Sequence, residues 1–292
     1  MTRTGGRHPV VVGLDPVPDG RAALTWAADE AVRRRVPLVV LYALGTPAFA
    51  RGTAGPPVPL WADWADDVQT GAERLLKEAV AFAGSRHPRL EVSGVIAEGG
   101  PAFALGERSV EAALVVVGSW HLSAVHEAFT SGGVAVPLAA RASCPVVMVP
   151  ERRTPPAARF VVGVDGSIDS AAAVDLAFEE ASLHGADLRA LYVWHPPVLG
   201  ALDEGSAVAE CRRVLGETVA GRTAAHPEVG FEHEVVRGHP VQVLTDASEH
   251  GLGLVVGTRG HGGLTGLLLG SVGQGVLRHA RCPVITVPRQ CP

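Results

Sequence analysis

Apolar residues in this chain fall into short continuous runs that alternate with longer segments of mixed polarity. In the second half such runs cover residues 160–164, 252–256 and 284–287, with two more mixed strand-like segments at 188–194 and 231–237. Runs this short, bounded by turn residues, predict strands, and the most continuous of them suit strands buried on both faces. Between them, residues 170–184 carry apolar positions at helical spacing and stop before Gly185, a suitable helix C-cap. A second helix is predicted over 207–225, halted by His226-Pro227, a third from near Pro240, and a last one over 272–280. This alternation predicts the α/β class, with about five parallel strands per sheet and helices on both faces.

The pattern is written twice. Val11-Val12-Gly13-Leu14-Asp15 returns as Val161-Val162-Gly163-Val164-Asp165, and Leu41-Tyr42 as Leu191-Tyr192, at an offset of 150 residues. Further on the offset is 139: His87-Pro88 matches His226-Pro227, Gly99-Gly100-Pro101 matches Gly238-His239-Pro240, and Gly118 matches Gly257. Cys144-Pro145-Val146 matches Cys282-Pro283-Val284 at 138. The first repeat therefore carries 11 extra residues in the region of the Pro- and Gly-rich stretch 46–59, and one more near its glycine loop. Such a stretch continues neither a helix nor a central strand, so an exposed loop is expected there. Residues 151–158 are polar and proline-rich, as suits a linker. The expected organisation is two tandem doubly wound five-stranded sheets, residues 1–150 and 159–292, joined by that linker.

Length and composition narrow the function. At 292 residues, each half is long enough to bury its own core. A formal net charge of −5 argues against a general nucleic-acid binder, which needs a basic face. No apolar run approaches the ~20 residues of a membrane span, and no apolar signal region follows the basic residues at the N-terminus, so a cytoplasmic protein is expected. The cysteines, Cys144, Cys211, Cys282 and Cys291, form no Cys-x-x-Cys pair, which fits small buried residues in a reducing compartment. His233, His239, His261 and His279 lack ligand spacing, so no metal site is expected among them. A Walker-type Gly-x4-Gly-Lys-Ser/Thr run, a dinucleotide fingerprint and a Gly-x-Ser-x-Gly elbow are all missing.

The chemistry concentrates near the C-terminus. Gly257-Thr258-Arg259-Gly260 follows a predicted strand, and Gly270-Ser271-Val272 opens a predicted helix. Glycines let backbone approach a ligand closely, and a helix N-terminus presents free N–H groups in a field that favours negative charge. Together they read as a phosphate cradle. Asp165 closes the first strand of the same repeat, and in open α/β sheets ligands bind beyond the carboxyl ends of strands, where strand order reverses. A carboxylate beside a triphosphate would repel it, so Asp165 suits ligand hydroxyls or a bridging Mg²⁺. Plainer roles stand beside these: Asp165 capping a turn with Gly166-Ser167, Arg259 facing solvent, and Ser271 as the N-cap of the last helix.

Asp165 after an apolar strand, then Gly257-x2-Gly260-x9-Gly270-Ser271, with the Gly-x-Pro turn and the closing Cys-Pro strand, resembles the ATP-binding pattern of the universal stress protein family. The resemblance spans nearly the whole chain as two tandem family domains. It implies a strand order of 3-2-1-4-5, ATP between strands one and four, and pairing of the domains through their fifth strands. It further implies that Asp165 reads the ribose or adenosine end and that Val193 meets adenine through its backbone. Val256, Gly257, Arg259 and Gly260 would wrap ribose and phosphates, and Gly270, Ser271 and Val272 would hold phosphates. The first repeat departs from the pattern. It keeps Asp15 and Gly118, but Trp120 and His121 replace the arginine and second glycine, and Gly132-Gly133 stands in place of Gly-Ser. A degenerate second site is expected there.

The function this implies is regulatory: a cytoplasmic protein of the stress response whose conformation or partner surface depends on bound ATP, with Mg²⁺. A homodimer and a protein partner fit such a role, and neither nucleic acid nor membrane does. No residue stands as a general base and no lysine lies in the cradle, so no catalytic residue is assigned. The alternatives are a nucleotide-independent interaction module and a slow ATPase.

Overall fold

The computed structural model describes residues 8–15, 21–45, 58–119, 133–151, 157–195, 203–260 and 269–289, the side chains of 58–66 and of 119 aside. The chain divides into two compact units, residues 1–118 and 119–292. In the first unit the order is β1 (Val10–Gly13), α1 (Arg21–Arg34), β2 (Leu38–Leu44), α2 (Val58–Arg86), β3 (Val92–Glu98), α3 (Pro101–Arg108) and β4 (Leu114–Ser119). Its strands lie side by side as β3-β2-β1-β4, all parallel, with Val10 opposite both Leu38 and Leu114.

The second unit begins with α4 (Ala135–Ala139) and β5 (Val146–Pro150) and continues through a full repeat. That repeat comprises β6 (Arg159–Val164), α5 (Ile168–His184), β7 (Asp187–Trp194), α6 (Glu204–Val219) and α7 (Arg222–Ala225). It continues with β8 (Phe231–Arg237), α8 (Pro240–Ser248), β9 (Gly253–Gly257), α9 (Ser271–His279) and β10 (Val284–Val287). The strands run β8-β7-β6-β9-β10 in parallel, the 3-2-1-4-5 order implied by the resemblance. Beyond β10 lies β5, antiparallel to it, with Met148 opposite Val284 and Val146 opposite Thr286. The fifth strand of the first repeat thus sits in the second unit, against the fifth strand of the second repeat.

Burial explains why these residues make these elements. Every residue of β5 and β10 is buried, and so are the first four of β9, as continuous apolar runs require when helices cover both faces. Edge strand β8 instead exposes Glu232, His233 and Glu234, and charge of this kind discourages further strand pairing. Helix α5 buries Ala173, Val174, Ala177, Phe178 and Ala181, a stripe at helical spacing. Its N-cap is Ser167, whose hydroxyl accepts from the Ser170 N–H, and Gly185 ends it in the left-handed conformation (φ 60°, ψ 43°).

The helix predicted over 207–225 is not continuous. Asp203 caps α6 through the Gly205 and Ser206 N–H groups, so it starts earlier than the pattern suggests. It stops at Ala220, because Gly221 takes a left-handed conformation (φ 79°) and starts the short α7. Residues 46–57, most of the expected loop, lie outside the described residues, and α2 begins at Val58 within its expected span. Among the described residues no helix is long and apolar enough to cross a membrane.

Phe178 is fully buried, its ring centroid 5.0 Å from that of Phe231 and stacked 5.7 Å from that of His226. It locks α5 to the far side of the sheet. Phe178→Ala is expected to lower the unfolding free energy of the second unit by about 3–5 kcal/mol, read from the urea midpoint. A loss below about 1 kcal/mol would contradict this packing.

Candidate functional site

Because β6 and β9 are neighbours, their carboxyl ends open on one crevice, and the loop after each strand reaches it. A cavity of about 330 Å³ lies there. Asp165, Val193, Val256, Gly257, Arg259, Gly260, Gly270, Ser271 and Val272, drawn together from four separate stretches of sequence, all line it. Pattern reading missed further wall residues: Gly163, Val164, Ser170, Leu191, Pro240, Leu244, Thr258 and Gly273. Of these, Pro240 belongs to the Gly-x-Pro turn, and Thr258 and Gly273 flank motif residues. Val164, Leu191 and Leu244 are indistinguishable in sequence from ordinary core.

The glycines of the motif have different reasons to be there. A Cβ on Gly257 would come within 2.8–2.9 Å of the backbone and Cβ of Asp169, so its absence is what allows the first turn of α5 to press against the end of β9. A Cβ on Gly260 would overlap the Asp165 Oδ2, so carboxylate and loop meet closely. At Gly270 a Cβ would find only ordinary contacts, the nearest the Thr258 carbonyl oxygen at 3.4 Å, and its backbone (φ −60°, ψ 155°) is open to any residue. Among the described residues nothing demands glycine at 270.

Asp165 does cap the turn that follows it: its Oδ1 accepts from the Ser167 N–H (2.9 Å) and hydroxyl (2.6 Å). The Ser167 hydroxyl also accepts from the Ser170 N–H (3.1 Å) and reaches the Arg259 carbonyl at 3.5 Å. Arg259 does not simply face solvent; it is half-buried in the cavity wall and has no ion pair with any described residue. Ser271 is not the N-cap either. Gly270 holds that position and Ser271 is the first helical residue, exposed at the cavity. Among the described residues the N-terminus of α9 has neither a side-chain cap nor an acidic residue in its first turn, which leaves its N–H groups and the positive end of the helix dipole at the cavity. Beside Asp165, burial, then Cys211, then the Asp165 charge push the Tyr192 hydroxyl up to about 12, so it stays a neutral phenol.

In the first unit, Asp15 is exposed at the end of β1 and Gly118 is exposed at the end of β4. Among the described residues a Cβ on Gly118 would meet the Ala23 Cβ of α1 at 3.7 Å, an ordinary contact. In the second unit, Gly133 has a left-handed backbone (φ 58°) that accounts for it locally. Trp120, His121 and Gly132 lie outside the described residues, as does His261.

Residues 6–150 and 157–288 each match the model of the universal stress protein family. The chain belongs to the universal stress protein family. Among its family relatives is universal stress protein Rv2005c of Mycobacterium tuberculosis, 35% identical over 99% of this chain and 100% of that one. Another is universal stress protein Rv2623 of the same organism, 34% identical over 94% of this chain and 95% of that one. A crystal structure of a universal stress protein from Archaeoglobus fulgidus superimposes with a TM-score of 0.71 over 96% of each chain, at 17% identity. This family member therefore shares its fold with a protein whose sequence has diverged widely.

The steric accounts of the glycines separate two variants. Gly257→Ala is expected to destabilise the second unit by about 1–3 kcal/mol, because backbone rather than a flexible side chain blocks the new methyl. Gly270→Ala should cost less than about 1 kcal/mol, the loss of a good N-cap residue. Thermal unfolding of the two variants side by side measures this, and equal losses would contradict it.

Proposed function

We propose that this protein binds an adenine nucleotide, ATP with Mg²⁺, in the second-repeat cavity and acts in the cytoplasm as a nucleotide-dependent regulator of the stress response. The observation that carries the proposal is the meeting, in one cavity wall, of the N-terminus of α9, uncapped among the described residues, with Arg259, whose side chain has no ion pair among them. Both favour an anion held at Gly270-Ser271-Val272, and Gly270, which no contact with a described residue requires, stands where a phosphate would come closest.

The rest of the donor set fits the same ligand. One oxygen of Asp165 is held by Ser167, while the other lies against Gly260, within reach of a ribose hydroxyl or a phosphate-bound Mg²⁺. The apolar wall of Val164, Leu191, Val193 and Leu244 suits the base. When bound, Mg²⁺ would offset phosphate charge next to that carboxylate. Among the described residues the wall contains neither lysine nor histidine, and its neighbour Tyr192 is a neutral phenol, which fits a regulator that retains nucleotide better than an efficient hydrolase. For a regulator, ATP must bind one conformation or partner-bound state better than another.

Denaturing the purified protein and identifying released nucleotide by chromatography and mass spectrometry tests the proposal directly, with a single adenine nucleotide per chain expected. In titration calorimetry with ATP and Mg²⁺, Arg259→Ala should weaken binding by about 10- to 100-fold, the loss of a charge-assisted contact. Gly260→Glu should abolish it. Wild-type affinity in Gly260→Glu, or no uptake of ATP by the wild type, would overturn the assignment.

A further inference from the structure

Thr258 stands between two motif residues, yet its bonds run to three other parts of the unit. Its N–H donates to the Val287 carbonyl at the end of β10 (3.1 Å), and its carbonyl accepts from the Gly270 N–H (2.9 Å). Its hydroxyl donates to Asp169 Oδ2 in the first turn of α5 (3.1 Å). Both partners in that last bond are buried, Thr258 at 7% and Asp169 at 6% exposure. A buried carboxylate–hydroxyl bond is stronger than one in water, and either group left alone there is costly.

We infer that Thr258 and Asp169 are positioning residues of the cavity. Their side-chain bond fixes the Thr258 carbonyl, and that carbonyl holds the Gly270 N–H, so the bond sets the spacing between Gly257–Gly260 and Gly270–Val272. Asp169 is not among the residues lining the cavity, so it acts through Thr258 and not on a ligand. The same turn of α5 carries Ser167, whose hydroxyl holds Asp165 and reaches the Arg259 carbonyl. Carboxylate, guanidinium-bearing loop and the α9 N-terminus are therefore referenced to one helical turn, and the Asp169–Thr258 bond is the tie that joins that turn to the glycine loop through buried side chains. The consequence for affinity rests on the nucleotide reading; the consequence for the ligand-free loop does not.

Two readouts on the same variants keep these apart. Amide hydrogen exchange of the ligand-free protein reports opening of the Gly270 N–H against the amides of Leu254 and Val255 in β9, which mark opening of the whole unit. Thr258→Val, which keeps shape but removes the donor, should speed exchange at Gly270 by about 10-fold or more relative to those amides, and Asp169→Ala should do the same from the other side. Thr258→Ser and Asp169→Asn keep a donor and an acceptor and should return exchange close to wild type. ATP affinity should follow the same order, and Thr258→Val combined with Asp169→Ala should be no weaker than either alone. Unchanged Gly270 exchange in Thr258→Val, or loss that only parallels Leu254 and Val255, would overturn the inference. Altered exchange with no ATP binding in any variant, wild type included, would uphold it and defeat the nucleotide reading instead.

Discussion

Everything at the candidate site follows from how closely the first turn of α5 approaches the end of β9. Helix and strand ends rarely come so near, because a Cβ on the strand would strike helix backbone; here Gly257 leaves that space to Asp169. Once the approach is made, short polar side chains can bridge it. Asp169 meets Thr258, Ser167 meets both Asp165 and the Arg259 carbonyl, and Asp165 fills the space left by Gly260. A longer separation would need water or larger side chains at each of these points, and the crevice would lose its fixed width.

The same geometry sorts two helix N-termini that open on one cavity. Both helices bring the positive ends of their dipoles, but α5 meets a serine cap, an acidic residue in its first turn and the Asp165 carboxylate just before it. Its N-terminal field is answered from within. Among the described residues helix α9 has no such partners, and its positive charge lies in its last turn, at Arg278, where it favours the opposite end of the dipole. The field at the cavity is thus more positive on the α9 side than on the α5 side. That asymmetry, more than the number of glycines, gives the cavity a direction.

The two repeats show how fold and site separate. Gly13 leaves room for Leu105 in the first as Gly163 does for Leu244 in the second, and Cys144 and Cys282 each direct a buried thiol to the carbonyl of the following proline. The glycine–leucine contacts are apolar packing, which survives many substitutions, since burial depends on area and shape more than on particular atoms. The site depends on particular atoms. Gly118 remains where Gly257 would be, but the arginine, glycine and serine that follow in the second repeat have changed in the first.

Strand and helix positions, the internal repeat and the α/β class were all readable from short apolar runs, because a strand buried on both faces has no room for polar residues whatever surrounds it. Of the nine candidate residues that line the cavity, the glycines and polar groups stood out at the ends of predicted strands and helices, while Val193, Val256 and Val272 came from the resemblance to the family. Other features were not legible. The break at Gly221 was hidden in an otherwise helical pattern, since glycine is tolerated within helices and only packing shows where it turns left-handed. Thr258 and Asp169 looked like ordinary loop and helix-start residues, 89 positions apart. That β6 neighbours β9, and that β10 pairs with β5, depends on hydrogen bonds between distant strands, which no local pattern encodes. By itself the sequence determined which elements form and which residues carry chemistry, because those depend on local propensity and burial. Only the tertiary structure decided which of them meet, because contact between distant segments is set by how whole strands and helices pack.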